Sequence, residues 1–279
     1  MAPKNPLPFT KMQGTGNDFI IIDNRDNTLS KEQIIGITPA ICDRHFGVGG
    51  DGLIALHQAE EKDLDYTMFY RNADGSDAGM CGNGARCLAR YAANLGLERE
   101  LRFNVHENIY TASVDKSAHM VTLSFPMETA VEEIFVENEH YLKVPAGTEH
   151  VVKEVSIKKL QDEPLLRRAG RKIRNLSQFN PPGTNVNFIY GQDHHTIELQ
   201  TYERGVEDLT LACGTGAIAS GLGWHHINNG SETGKQTIEV QTKGGVLQVQ
   251  FSHDGQRNTY QNIKLTGKAE FVFEGTYTL

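Results

Sequence analysis

Apolar positions along this chain fall mostly in short alternating or continuous runs, and only in four places at helical spacing. Phe19-Ile20-Ile21-Ile22 is a β-branched run stopped by Asp-Asn-Arg-Asp, which predicts a strand ending in a turn. Residues 53–56, 66–70, 101–105, 109–114 and 120–125 read as further strands, separated by turn-forming residues. Pro126 interrupts the series and marks a candidate domain boundary. Beyond it, residues 141–145 open the second half, a loop at 146–150 leads into Val151-Val152, and residues 185–189, 196–202, 238–241, 246–251, 263–266 and 269–273 repeat the strand pattern.

The helical stretches differ in kind. Residues 30–45 open with Ser30 and Gln33 at capping-box spacing and carry an apolar stripe of Ile34, Ile35, Ile37 and Ile41. Pro39 is expected to start or kink a turn there. Residues 155–169 read as one amphipathic helix. Residues 85–97, closed by Gly96, and 217–227 are instead small and apolar around most of their circumference, which implies burial on nearly all sides. A helix enclosed in that way, with strands before and after it, implies a sheet curled around it. Each half therefore reads as strands, a buried helix, then more strands. The expected fold is α+β in two similar lobes, residues 1–125 and 126–267, each a curled, mostly antiparallel sheet around a central helix.

Composition narrows the classes. The 279 residues are 38% hydrophobic and 22% charged, which suits a globular chain of one large or two smaller domains. A net charge of −8 without a basic block argues against nucleic acid as a partner. No apolar run reaches membrane-spanning length. The opening MAPKNPLPFTKM lacks the pattern of a signal peptide, so a cytoplasmic location is expected. The four cysteines, Cys42, Cys81, Cys87 and Cys213, contain no C-x-x-C pair, and no metal is expected. Cys42 and His45 read as a buried small residue and a polar helix end, and the pairs His194-His195 and His225-His226 as solvent-facing or structural.

Glycine-rich segments test for nucleotide sites. Gly14-Thr15-Gly16 precedes a strand and has Phe19 where a dinucleotide fingerprint needs its third glycine. Residues 46–52 lack the Gly-Lys-Ser/Thr ending of a phosphate loop. The informative pair is Cys81-Gly82-Asn83-Gly84-Ala85 and Cys213-Gly214-Thr215-Gly216-Ala217, each opening one of the two buried helices. A thiol at a helix start sits beside unpaired N–H groups and the positive end of the dipole, which favours thiolate. The same N–H groups can hold a carboxylate or an enolate.

In KMQGTGNDF, RNADGSDAGMCGNGARC, GTEHVV, TNVNF, YERGVED and ACGTGAIAS, in that order and over nearly the whole length, the chain resembles the diaminopimelate epimerase family. The resemblance implies two lobes related by pseudo-two-fold symmetry, a C-terminal strand (268–279) returning to the first lobe, and a site between the lobes. It implies Cys81 and Cys213 as catalytic residues and, as small-molecule substrate, the amino acid diaminopimelate, epimerised from its LL to its meso form. Asn17, Asn72, Asn185, Glu203 and Arg204 fall on substrate-contacting positions, and Gly82-Asn83 and Gly214-Thr215 on those that offer backbone N–H groups. His150 and Glu203 match residues that orient the site. One departure is Thr148, which stands where many members have Asn, keeping a hydroxyl but losing an amide. A homodimer is the candidate assembly.

The chemistry implied is inversion of a carbon centre without a cofactor: one group removes a proton from one face while another supplies one to the opposite face. A thiolate–thiol pair does this in either direction. No lysine sits in a Schiff-base context, so pyridoxal phosphate is not expected. Rival readings are a proline- or hydroxyproline-racemase-like enzyme, a phenazine-biosynthesis-like isomerase and a non-catalytic amino-acid-binding protein. The asparagine set with Arg204 suits a second amino-carboxylate end, which proline lacks, and the two thiols argue against the other two.

Overall fold

A computed structural model describes residues 6–77, 79–115 and 119–279. It divides into two compact units, Met1–Leu123 with Gly267–Leu279, and Ser124–Thr266. Each is built on the same plan.

The first unit runs β1 (Pro6–Gly14), β2 (Asn17–Asp23), α1 (Lys31–Cys42), β3 (Gly52–His57), β4 (Tyr66–Asn72), α2 (Gly82–Asn94), β5 (Glu100–Val105) and β6 (Asn108–Asp115), with β7 (Met120–Phe125) leaving it. The C-terminal strand Glu270–Thr278 pairs antiparallel with β1. From there the sheet continues β1, β2, β3, β4, β5, β6; the β2–β3 and β4–β5 pairs are parallel and the others antiparallel. The sheet is buried on both faces at its centre, which is why β2 and β3 read as continuous apolar runs. Ile20, Ile22, Leu53 and Ala55 pack towards α1 with Ile34 and Ile41. The alternate residues Phe19 and Ile54 press against α2 at Gly84. A wholly buried Ile54 contributes roughly 1.5–3 kcal/mol.

The second unit runs β8 (Glu132–Val136), β9 (Glu139–Lys143), β10 (His150–Glu154), α3 (Ile157–Leu160), α4 (Glu163–Arg174), β11 (Asn185–Asp193), β12 (Thr196–Glu203), β13 (Asp208–Thr210), α5 (Gly214–Asn229), β14 (Gly234–Thr242), β15 (Gly245–Asp254) and β16 (Thr259–Lys268). Its sheet order is β8, β9, β10, β11, β12, β14, β15, again with two parallel pairs, β10–β11 and β12–β14. The pattern of directions matches the first unit strand for strand. Val151, Val186, Phe188 and Tyr202 face Leu166 and Ile173 of α4, while α5 packs against β10, β11, β12, β14 and β15.

Three expectations need correction. Residues 155–169 are not one helix: Asp162 caps a new one by accepting from the Leu165 N–H, and Pro164 occupies its first turn. Of the two outcomes expected at Pro39 the first does not hold: no new turn starts there, and α1 runs through it to Cys42 with Ile34, Thr38 and Ile41 buried. The two buried helices begin three residues earlier than the apolar pattern suggested, directly at the glycine after each cysteine. No helix among the described residues is long and apolar enough to cross a membrane.

Candidate active site

Sheet direction decides what each unit gathers at one end. In the first unit the parallel strands β2 and β3 begin where β4 ends, with Phe19 opposite Gly52 and Gly52 opposite Asn72. In the second, β10 and β11 begin where β12 ends, with His150 opposite Asn185. The registers make Asn17 the counterpart of Thr148, Phe19 of His150, Gly52 of Asn185 and Asn72 of Glu203. The cysteine-opened helix starts at the same end in both.

Cys81 is the N-cap of α2, with extended backbone, and its sulfur accepts from the Gly84 N–H at 3.5 Å. The first-turn N–H groups of Gly82 and Asn83 have no acceptor within the helix. The second glycine of the motif is required by packing: a Cβ at Gly84 would lie 2.8 Å from Ile54 Cδ1. The Gly14-Thr15-Gly16 loop is a hairpin turn with positive φ at Thr15 and Gly16 (57° and 85°), which sets Asn17 at the head of β2. There the Cys81 S–H points at Asn17 Oδ1, 3.8 Å away, and the Asn83 amide donates to the same oxygen at 3.4 Å. The Asn17 amide N–H in turn donates to Asp51. Asn72, half-buried at the end of β4, donates to Ser76 Oγ (3.0 Å) and accepts from the Tyr70 hydroxyl (3.2 Å).

Two features of this half were not read from the sequence. Arg86 is wholly buried and donates to Thr15 Oγ1 (2.8 Å), Asn83 Oδ1 (2.9 Å) and the Gly82 carbonyl (3.4 Å). Among the described residues it meets no carboxylate. Burial pulls it down to about 10, so it remains a cation at neutral pH. Around the turn, Asp18 pairs with Lys11 and Arg44 at 2.7 Å each. Burial pushes the Asp18 carboxyl up, but hydrogen bonds from Arg44 and Lys11 outweigh it and hold it well below the usual range.

Cys213 repeats the arrangement. It is the N-cap of α5, buried, and its sulfur accepts from the Gly216 N–H at 3.4 Å. Thr215 Oγ1 lies 3.6 Å from that sulfur and 3.0 Å from His150 Nε2. His150 is wholly enclosed; burial first, and then the charge of Arg204, pull it down to about 3, so it is neutral. Arg204 donates to Thr148 Oγ1 (2.8 Å) and the Gly183 carbonyl (3.3 Å), and makes no ion pair among the described residues. Thr148 thus buttresses the arginine. Asn185 ties the two loops together: its Nδ2 donates to the Glu149 carbonyl (3.0 Å) and its Oδ1 accepts from the Arg204 N–H (2.9 Å). Glu203 closes β12, half-buried, its carbonyl accepting from the Glu207 N–H.

Burial disfavours the thiolate form of the other two cysteines. Burial pushes both Cys42 and Cys87 up to about 12. Among the described residues no cluster of three or more His, Cys, Asp or Glu could hold a metal ion.

Solved structures of similar fold include a phenazine biosynthesis protein of the PhzF family from Bacillus anthracis (TM-score 0.74, 13% identity, 99% of this chain and 100% of that one). A hydroxyproline epimerase from Agrobacterium vitis, solved with bound trans-4-hydroxy-L-proline, is also similar (TM-score 0.72, 13% identity, 100% and 94% covered). At those identities the likeness concerns the fold: a two-repeat α+β architecture with a helix at the heart of each repeat.

Sequence comparison is more specific. The family model described as diaminopimelate epimerase matches residues 9–122 and 143–272, and this chain belongs to that family. Diaminopimelate epimerases from Flavobacterium psychrophilum and Aquifex aeolicus are each 36% identical to it, over 97% of this chain and 100% of the relative, and 96% and 97%, respectively. The chain is an amino-acid epimerase, an isomerase.

Proposed function

We propose that the protein interconverts LL- and meso-diaminopimelate without a cofactor, with Cys81 and Cys213 exchanging the α-proton on opposite faces of one carbon. The observation that carries this reading is the duplicated N-cap: two cysteines, each opening a buried helix, each sulfur accepting the N–H of the second glycine. The α-proton is far less acidic than a thiol, so the carbanion needs strong stabilisation. N–H groups of Gly82-Asn83 and Gly214-Thr215, with the dipoles behind them, would hold the α-carboxylate and its developing charge. One thiolate removes the proton while the other thiol delivers its own, and the roles reverse for the return reaction.

Arg204, Asn17, Asn72, Asn185 and Glu203 would receive the second amino-carboxylate end. A guanidinium whose partners here are a hydroxyl and a carbonyl suits a carboxylate ligand. His150 orients Thr215 beside Cys213. The resemblance implies a place in lysine and peptidoglycan biosynthesis.

The test is incubation of purified protein with LL-diaminopimelate, proline, trans-4-hydroxyproline, lysine and glutamate, with no cofactor added, followed by chiral chromatography. Inversion of diaminopimelate alone is expected. Inversion of proline or hydroxyproline in its place would select the rival reading.

A further inference from the structure

Behind His150 in the second unit lies a buried polar chain whose far members, Asn187 and Thr201, have no part in the reaction just described. Asn187 on β11 is wholly enclosed, as is His150, and Thr201 is nearly so. The Asn187 amide nitrogen lies 3.0 Å from the Val151 carbonyl, which can only accept, so Nδ2 is the donor end. The same nitrogen stands 3.1 Å from His150 Nδ1, which must therefore accept. The Thr201 hydroxyl donates to Asn187 Oδ1 at 2.9 Å and completes the amide's bonding. A neutral imidazole that accepts at Nδ1 carries its proton on Nε2. That N–H donates to Thr215 Oγ1 at 3.0 Å, and the threonine proton is then left for Cys213 Sγ at 3.6 Å.

We propose that Asn187 is a positioning residue: it fixes His150 in its Nε2–H form, so that the Thr215 hydroxyl can only donate, and donates to the Cys213 sulfur. Every bond in the chain points one way, and it ends on sulfur. With the Gly216 N–H, Cys213 receives two donors, a setting that favours thiolate over thiol. In the first unit Phe19 occupies the place of His150, and Cys81 faces the oxygen of Asn17. The groups facing the ring are Thr215 from α5, Asn187 from β11 and, as the charged one, Arg204 from the end of β12. The proposal rests on Cys213 as a proton-transfer thiol only for its effect on turnover.

The test needs no substrate, so it stands or falls apart from the epimerase reading. In ¹⁵N-labelled protein, with His150 assigned by its loss in His150→Gln, the ring should show a proton on Nε2 and none on Nδ1. In a Cys81→Ala background, the pH profile of iodoacetamide labelling at Cys213, located by peptide mass, reports its ionisation. Thr215→Val should slow labelling about tenfold near neutral pH, and Thr215→Ser should restore it. Asn187→Leu should mix the two ring forms and slow labelling, yet add nothing on top of Thr215→Val. A proton on Nδ1 in the parent protein, equal labelling in the Val and Ser variants, or additive effects would overturn the proposal. If Asn187→Leu does not fold, the parent spectrum and the Thr215 pair still decide.

Discussion

Enclosing a neutral histidine has a consequence at acid pH that can be worked through. His150 is held down to about 3, by burial first and then by Arg204, while in an unfolded chain it titrates near 6.5. Between those values the unfolded chain binds a proton that the folded one refuses. Stability of the second unit therefore falls as pH drops from about 6.5 towards about 3, and is unaffected by this group above about 6.5. The slope is about 1.4 kcal/mol per pH unit, with an upper limit of roughly 5 kcal/mol for the whole range. His150→Gln removes the titration. Urea unfolding of both proteins at pH 7.5, 6.5, 5.5 and 4.5 isolates the term, because His225, also lowered by burial, and Asp18 are common to both. The gap between the two proteins should narrow by about 2 kcal/mol between pH 6.5 and 4.5. Parallel curves over that range would refute the neutral, enclosed ring.

Three further outcomes follow from single contacts. Arg204→Lys should lower kcat/KM by about 2–3 kcal/mol, since an ammonium cannot copy a planar clamp; unchanged steady-state kinetics would remove Arg204 from carboxylate binding. Arg86→Leu leaves Thr15 Oγ1 and Asn83 Oδ1 without their donor and should cost roughly 1–3 kcal/mol for each in urea unfolding of the first unit, with Arg86→Lys recovering little. Gly216→Ala places a Cβ 2.6 Å from Asn187 Oδ1, and should lower stability by roughly 1–3 kcal/mol while disturbing Cys213 more than Cys81 in alkylation assays.

Most of the architecture was legible because its strands are β-branched runs and its two central helices are apolar all round. What escaped did so for identifiable reasons. β8, with sequence EEIFV, is an edge strand whose exposed glutamates give no alternation, and only its pairing with β9 defines it. β13 is three residues long. The break at Asp162 was signalled by Asp-Glu-Pro but overridden by the amphipathic run around it. Among the candidate residues, both cysteines and the loops around them were proposed from motif and resemblance. Arg86 stood inside the first motif, yet nothing in one dimension says that a helical arginine will be enclosed without a carboxylate. Asn187 had a usable signal: with Asn185 it places two amides at i and i+2 on one face of an apolar strand. That face turned out to be the one against the start of α5, which only the sheet register reveals.

The central claim, two thiols serving opposite faces, is tested most directly by where the new α-hydrogen comes from. LL-diaminopimelate is converted in D₂O and quenched at low turnover, and deuterium is measured by mass spectrometry in product and in recovered substrate. With one thiol removing the proton and the other supplying a solvent-exchanged one, the meso product should carry deuterium at the inverted carbon while recovered substrate remains unlabelled. Cys81→Ala and Cys213→Ala should each abolish conversion. Product that keeps the substrate's own hydrogen, or near-normal inversion by either alanine variant, would contradict the two-thiol account.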